Sequence, residues 1–211
     1  MSQRWPWVVL ALLGAYHGLN PAMGWLFALA LALQEKRRSA IARALLWIAL
    51  GHAAAISIAI LLLHLLQRFL PMSILKWAVA LILFALGAYR IFRASHPRGA
   101  GMRVGGKDLL VWSFLMASAH GAGVMLMPVL LAQPMLGMTR GAMPLSLDVV
   151  PMLFVVLVHT VSMLLVAGML ALLFFESYER LGLGLLQRAW FNFDLLWAVA
   201  LLVAGVAALL A

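Results

Sequence analysis

The 211-residue chain contains no cysteine, which excludes disulfides, thiolate metal sites and dithiol electron relays. Acidic residues are nearly as scarce, six against fifteen Lys and Arg. Asp148, Glu176 and Asp194 fall near the ends of apolar runs. An enzyme using metal-activated water would therefore lack a placed carboxylate base, and a cationic amino acid would lack a counter-charge deep in the molecule. No enzyme activity is expected. Alternating strand patterns are almost missing, so any membrane crossings must be helices. Only 10% of residues are charged, 66% are hydrophobic and the mean hydropathy is +1.09, more apolar character than a soluble domain of this length could hide in one core.

What is present reads as an all-α integral membrane bundle. Six apolar runs, about 5 to 33, 40 to 66, 73 to 92, 109 to 133, 149 to 175 and 191 to 211, each reach or exceed the roughly 20 residues that cross about 30 Å of hydrocarbon. The opening "MSQRWPWVVLALLGAY" has no small-x-small cleavage site and reads as a retained first helix. The net charge of +9 does not point to nucleic acid, because the basic residues sit in short connections between spans, the pattern of membrane orientation. Loops one, three and five carry eleven Lys and Arg against four elsewhere. This places those loops in the cytoplasm and both termini outside, as in a multi-pass protein of a bacterial-type inner membrane. Trp5, Trp7, Trp112 and Trp190 fall near span ends and read as interfacial anchors.

The two halves of the chain resemble each other. "YHGLNPAMGWLFALAL" corresponds to "AHGAGVMLMPVLLA", "ALGHAAAISI" to "VLVHTVSMLLVAG", and "WAVAL" occurs at 77 to 81 and again at 197 to 201. Residues 1–92 then form a first three-helix repeat, 93–108 a basic cytoplasmic linker, and 109–211 a second repeat. Three spans is an odd number, so the second repeat must cross the membrane inverted, an arrangement that places substrate sites at the repeat interface in many transporters.

At 1.5 Å per helical residue, His17, His52, His120 and His159 all come out near the centre of their spans. An ionisable residue at that depth faces the bundle interior or a cavity. The repeat pairs His17 with His120 and His52 with His159, so a two-fold axis would gather the four imidazoles. One account is structural, each ring bonding a neighbouring backbone or a serine such as Ser118 or Ser162. The other is a site for a transition-metal ion (Cu, Zn, Ni, Co or Fe) or a proton relay. Met23, Met116, Met125, Met127 and Met163 are candidate soft ligands that also suit plain packing. His64 falls near a membrane face and His96 in a basic loop, and both are left out. Beside His17, Asn20 offers a donor and an acceptor, while Pro21 removes a backbone donor and should free the His17 carbonyl. Gly121, Gly123 and Pro128 should loosen span four correspondingly. The expected substrate-binding set is His17, Asn20, Pro21, His120 and Gly121, and the expected metal set His17, His52, His120 and His159.

"NPAMGWLFALAL", then "EKRRSAIARALLWIALGHAAAISIAILL", then "LKWAVALILFALGAYRIFRA" resemble the first half of the LysE-type amino-acid and ion exporter superfamily, with a Pro-containing first helix, a basic loop, a Gly-rich second helix and an "LKW…LG" third. Likeness extends more weakly to "GGKDLLVWSFLMASAHGAGVMLMPVLL", where "AHGAG" stands in place of the second Asn-Pro usual in such exporters. The resemblance implies a secondary transporter exporting a small solute, and the histidines turn the expectation toward a transition-metal ion. The alternatives are an amino-acid exporter, a membrane electron carrier whose histidines ligate haem b or copper, and an accessory subunit. The expected partners are the lipid bilayer and the solute or metal ion, with a homodimer or a larger membrane complex formed through Ala- and Gly-rich faces.

Overall fold

The computed structural model describes residues 5–92, 105–132, 149–181 and 193–210, and every regular element among them is helical. In chain order these are α1 (Trp5–Leu19), a 3-10 turn (Pro21–Met23), α2 (Trp25–Glu35), α3 (Ser39–Leu66), α4 (Met72–Phe92), α5 (Gly106–Ala119), α6 (Ala122–Ala132), α7 (Val149–Leu181) and α8 (Phe193–Leu210). Most of the basic linker with His96, the connection 133–148, and Trp190 lie outside the described residues.

Three helices, Ser39–Leu66, Met72–Tyr89 and Val150–Tyr178, are each long and apolar enough to cross a membrane. Gly106–Ala119 and Ala122–Ala132, bent by 54°, make a fourth crossing if the pair is one span. α1 and α2 have 15 and 11 residues, roughly 22 and 16 Å of helix, so neither alone spans the hydrocarbon. Large apolar side chains, among them Leu12, Leu46, Ile58, Trp77, Leu165 and Val203, are exposed on the outer helix faces. Such a surface is satisfied by lipid rather than water.

Small residues set how the helices meet. A Cβ on Gly14 would strike the carbonyl oxygen of His159, and one on Gly18 the carbonyl of Met163. Both partners advance by four residues, so α1 and α7 run parallel, with a G-x-x-x-G face against the partner backbone. Gly106 lies against Trp47 and Gly51 against Leu110, which makes α3 and α5 parallel by the same reasoning. Gly87 meets Leu202 and Gly205 meets Phe84; here one number rises as the other falls, and α4 and α8 are antiparallel. These three pairings are the most extensive among the described residues, and the last brings the two "WAVAL" segments onto facing helices.

At one end of the bundle Arg38 forms a two-point ion pair with Glu176, at 2.8 and 3.0 Å, tying the start of α3 to the end of α7. Arg43 pairs with Glu35 close by. The Arg38 side chain is 65% exposed, so Arg38→Ala should cost no more than about 1 kcal/mol. Thermal unfolding in detergent would register this as a shift of a few degrees at most.

Candidate functional site

Backbone chemistry interrupts two helices beside histidines. α1 stops at Leu19, and Asn20 adopts extended backbone, its side-chain oxygen accepting the N–H of Ala22 at 3.0 Å to cap the 3-10 turn. Pro21 follows at the first position of that turn, where its missing N–H costs nothing. Gly24, at φ +109°, then turns the chain into α2. The second interruption needs only Gly121, at φ +70°, between α5 and α6. Gly24→Ala should destabilise the protein by at least about 2 kcal/mol, since a left-handed L-residue costs about 1–2 kcal/mol and the new methyl would sit 2.8 Å from Ile48 Cδ1. Adding Ile48→Ala should recover the contact and leave the backbone strain, a partial rescue readable in the same melting experiment.

The sequence expectations need correcting at several points. The His17 carbonyl is not released by Pro21 but accepts the Asn20 N–H at 3.1 Å. Gly123 and Pro128 both lie inside the continuous helix α6, Gly123 being there for close approach to Ala59. Ser118 donates to its own helix at Phe114 rather than to an imidazole. The indole N–H of Trp112 is buried, with its ring edge-on to Phe27 at 5.3 Å, so it packs rather than anchors. Both ring nitrogens of His64 are likewise buried. Met23, Met125, Met127 and Met163 are built into the apolar core, the packing role that the sequence also allowed them.

The structure draws the histidines together. His17, His52 and His159 are each 0% exposed. Their ring centroids lie 4.8 Å apart for His17 and His159, 5.6 Å for His17 and His52, and 5.5 Å for His52 and His159. The last two are stacked with planes 5° apart, and His17 stands edge-on to both. His120, also buried, lies within electrostatic reach of His17. Asn20 is buried one turn from His17, while Pro21 is only half-buried. Gly121 packs toward Leu86 and Leu201.

Backbone carbonyls orient the rings. Nδ1 of His17 pairs with the Leu13 carbonyl at 2.8 Å, and Nδ1 of His120 with the Met116 carbonyl at 2.9 Å, the same four-residue step in each half. Nδ1 of His159 reaches across to the Leu10 carbonyl on α1 at 3.3 Å. A carbonyl only accepts, so each of these nitrogens carries the proton, and a neutral ring then presents an unprotonated Nε2. Metal-ligating histidines are commonly oriented this way. His52 has no hydrogen-bond partner at either nitrogen among the described residues. Nearby, Ser113 Oγ donates to the Ile48 carbonyl at 2.8 Å, one turn before His52, and pins α5 to α3. With the rings edge-on and stacked, no three His, Asp or Glu side chains among the described residues stand poised to hold a metal ion.

Sequence reasoning missed Trp25. Its indole N–H donates to the Leu19 carbonyl at 3.2 Å, satisfying the C-terminus of α1, while its ring stacks on Phe174 at 5.4 Å. A Trp directly after the glycine of a helix break was the available signal. The chain matches no protein-family model, no curated protein and no solved structure.

Proposed function

We propose that the protein is a multi-pass membrane transporter, built from two inverted three-helix repeats, that carries a transition-metal ion through the cluster of His17, His52, His120 and His159. The observation that carries this reading is the spacing of three buried rings from three helices, 4.8, 5.5 and 5.6 Å between centroids. With an imidazole–metal bond of about 2 Å and roughly 1 Å from nitrogen to ring centre, three imidazoles around one ion hold their centroids about 5 to 5.5 Å apart.

Helix direction supports the inverted repeat. α1 parallel to α7, α3 parallel to α5, and α4 antiparallel to α8 are the relations that six alternating crossings require, counting α1 with α2 and α5 with α6 as one crossing each. The Arg38–Glu176 pair and the Gly106–Trp47 contact bring together the start of α3, the start of α5 and the end of α7, the helix ends that adjoin the basic loops one, three and five, which is compatible with the positive-inside rule for a cytoplasmic face. The resemblance to LysE-type exporters supports export as the direction. Haem is the weaker occupant: a porphyrin needs a slot between its axial rings, whereas the ring of His17 packs against both His52 and His159.

The test is flux in proteoliposomes loaded in turn with Cu(I), Zn(II), Ni(II), Co(II) and Mn(II). Saturable movement of at least one ion is expected, and it should vanish in a folded His17→Phe/His159→Phe variant. Absence of flux and of thermal protection by all five ions, alongside protection by amino acids, would overturn the proposal.

A further inference from the structure

We infer that the two half-helices α2 and α6 are the gates of the transport path, one on each side of the histidine layer, and that they open in alternation. This rests on the reading of the protein as a transporter and names the parts that move. The histidines divide the buried interior in two. On α3, His52 falls between Ile48 and Ala55, and on α7, His159 falls between Val155 and Met163. Ile48 and Met163 belong to one apolar cluster, Ala55 and Val155 to another. α2 contributes Ala28 and Leu29 to the first cluster, whereas α6 contributes Leu126 and Leu130 to the second.

Contacts along the long helices place the two half-helices at opposite ends. Trp25, the first residue of α2, stacks on Phe174, which lies beyond His159 toward Glu176. Gly123, at the start of α6, lies against Ala59. α3 begins beside the Arg38–Glu176 pair, so Ala59 lies beyond His52 in the direction away from that pair. With both half-helices packed, His17, His52 and His159 are sealed at 0% exposed. Each half-helix has 11 residues, about 16 Å, and each follows a left-handed glycine, Gly24 or Gly121. α2 also ends at Lys36 with φ +51°, a conformation that a side chain disfavours. Turns of this kind let a few dihedral changes re-aim a rigid segment. What holds α2 shut is local: the Trp25–Phe174 stack, the indole bond to the Leu19 carbonyl and the Glu35–Arg43 ion pair. α6 is enclosed nearly all round, a segment too short to span the hydrocarbon alone and shielded from lipid, which is the character of a plug. Discontinuous helices beside a midplane site are the parts that transporters use for such access.

The chain has no cysteine, so single cysteines report access without background. Leu29→Cys in α2, Leu130→Cys in α6 and a control, Ala198→Cys, all start from buried positions. Arg37→Cys, exposed beside the Arg38–Glu176 pair, marks which side of the vesicle is which. A membrane-impermeant methanethiosulfonate is added to either side of vesicles holding the full chain. Leu29→Cys is expected to react only from the Arg37 side and Leu130→Cys only from the other. Trp25→Ala, which removes the stack and the indole bond, should speed Leu29→Cys at least about tenfold, leaving Leu130→Cys no faster and Ala198→Cys unchanged. Arg43→Ala loosens the other end of α2 at an exposed site, should speed Leu29→Cys a few-fold, and carries the comparison if Trp25→Ala does not fold. Reaction of Leu29→Cys from the Leu130 side, equal acceleration at all three cysteines, or no acceleration in either variant would overturn the gates. Labelling needs no cargo, so this outcome is separate from whether any metal ion is carried.

Discussion

Replacing Gly14 with leucine is expected to leave little folded protein. Gly14 sits where α1 meets the backbone of α7, and even a single methyl there would run into the His159 carbonyl. Overpacking among side chains typically costs about 1–3 kcal/mol because neighbours can change rotamer. A helical carbonyl has no such freedom, so the whole α1–α7 interface must open, at a cost of at least about 3 kcal/mol. Gly14→Ala should show a smaller loss in the same direction. Leu12→Ala, at a position 62% exposed on the outer face, should change stability by less than about 0.5 kcal/mol. Folded yield and melting temperature in detergent separate the three variants. A Gly14→Leu protein that melts with the parent would mean α1 does not pack on α7.

His52→Leu should move stability and function in opposite directions. His52 is fully enclosed and both of its ring nitrogens lack a hydrogen-bond partner among the described residues. An unsatisfied buried polar atom costs about 1–3 kcal/mol, so an apolar side chain of similar volume should raise stability by about 1–2 kcal/mol. The same change removes one of the three mutually contacting rings, and under the proposed function metal binding and flux should fall to the background of empty vesicles. Active sites often hold groups that the fold would be more stable without. If His52 were structural glue, leucine would lower the melting temperature; that result would remove the main reason for regarding the cluster as a ligand site.

Legibility in the sequence varied with the kind of signal. The interruption at Asn20-Pro21 could be read directly, because Asn is a capping residue and Pro cannot continue the hydrogen-bond ladder. The interruption after His120 was legible only in outline: of three candidate breakers just Gly121 breaks the helix, while Gly123 and Pro128 lie inside α6. Proline within an apolar helix is tolerated where neighbouring groups re-satisfy the freed backbone, and a sequence does not reveal those neighbours. Residue spacing suggested that the histidines would gather, and the rings of His17, His52 and His159 do lie together. That His17 stands edge-on to a stacked His52 and His159 did not. Trp112 near a predicted span end suggested an anchor, yet its indole is turned inward against Phe27.

From sequence alone came the membrane-seeking composition, the helical secondary structure, the lack of carboxylate deep in the chain and the first helix break. All four are decided by composition or by the chemistry of adjacent residues. Only the tertiary structure decided which face of each helix turns inward, which helices run parallel, and that Gly14, Gly18 and Gly51 are points of backbone contact. The physical reason is that a helix in lipid is apolar on every side. The patterning that marks the inner face of a soluble helix is therefore faint, and azimuth is settled by close packing between small residues on different helices.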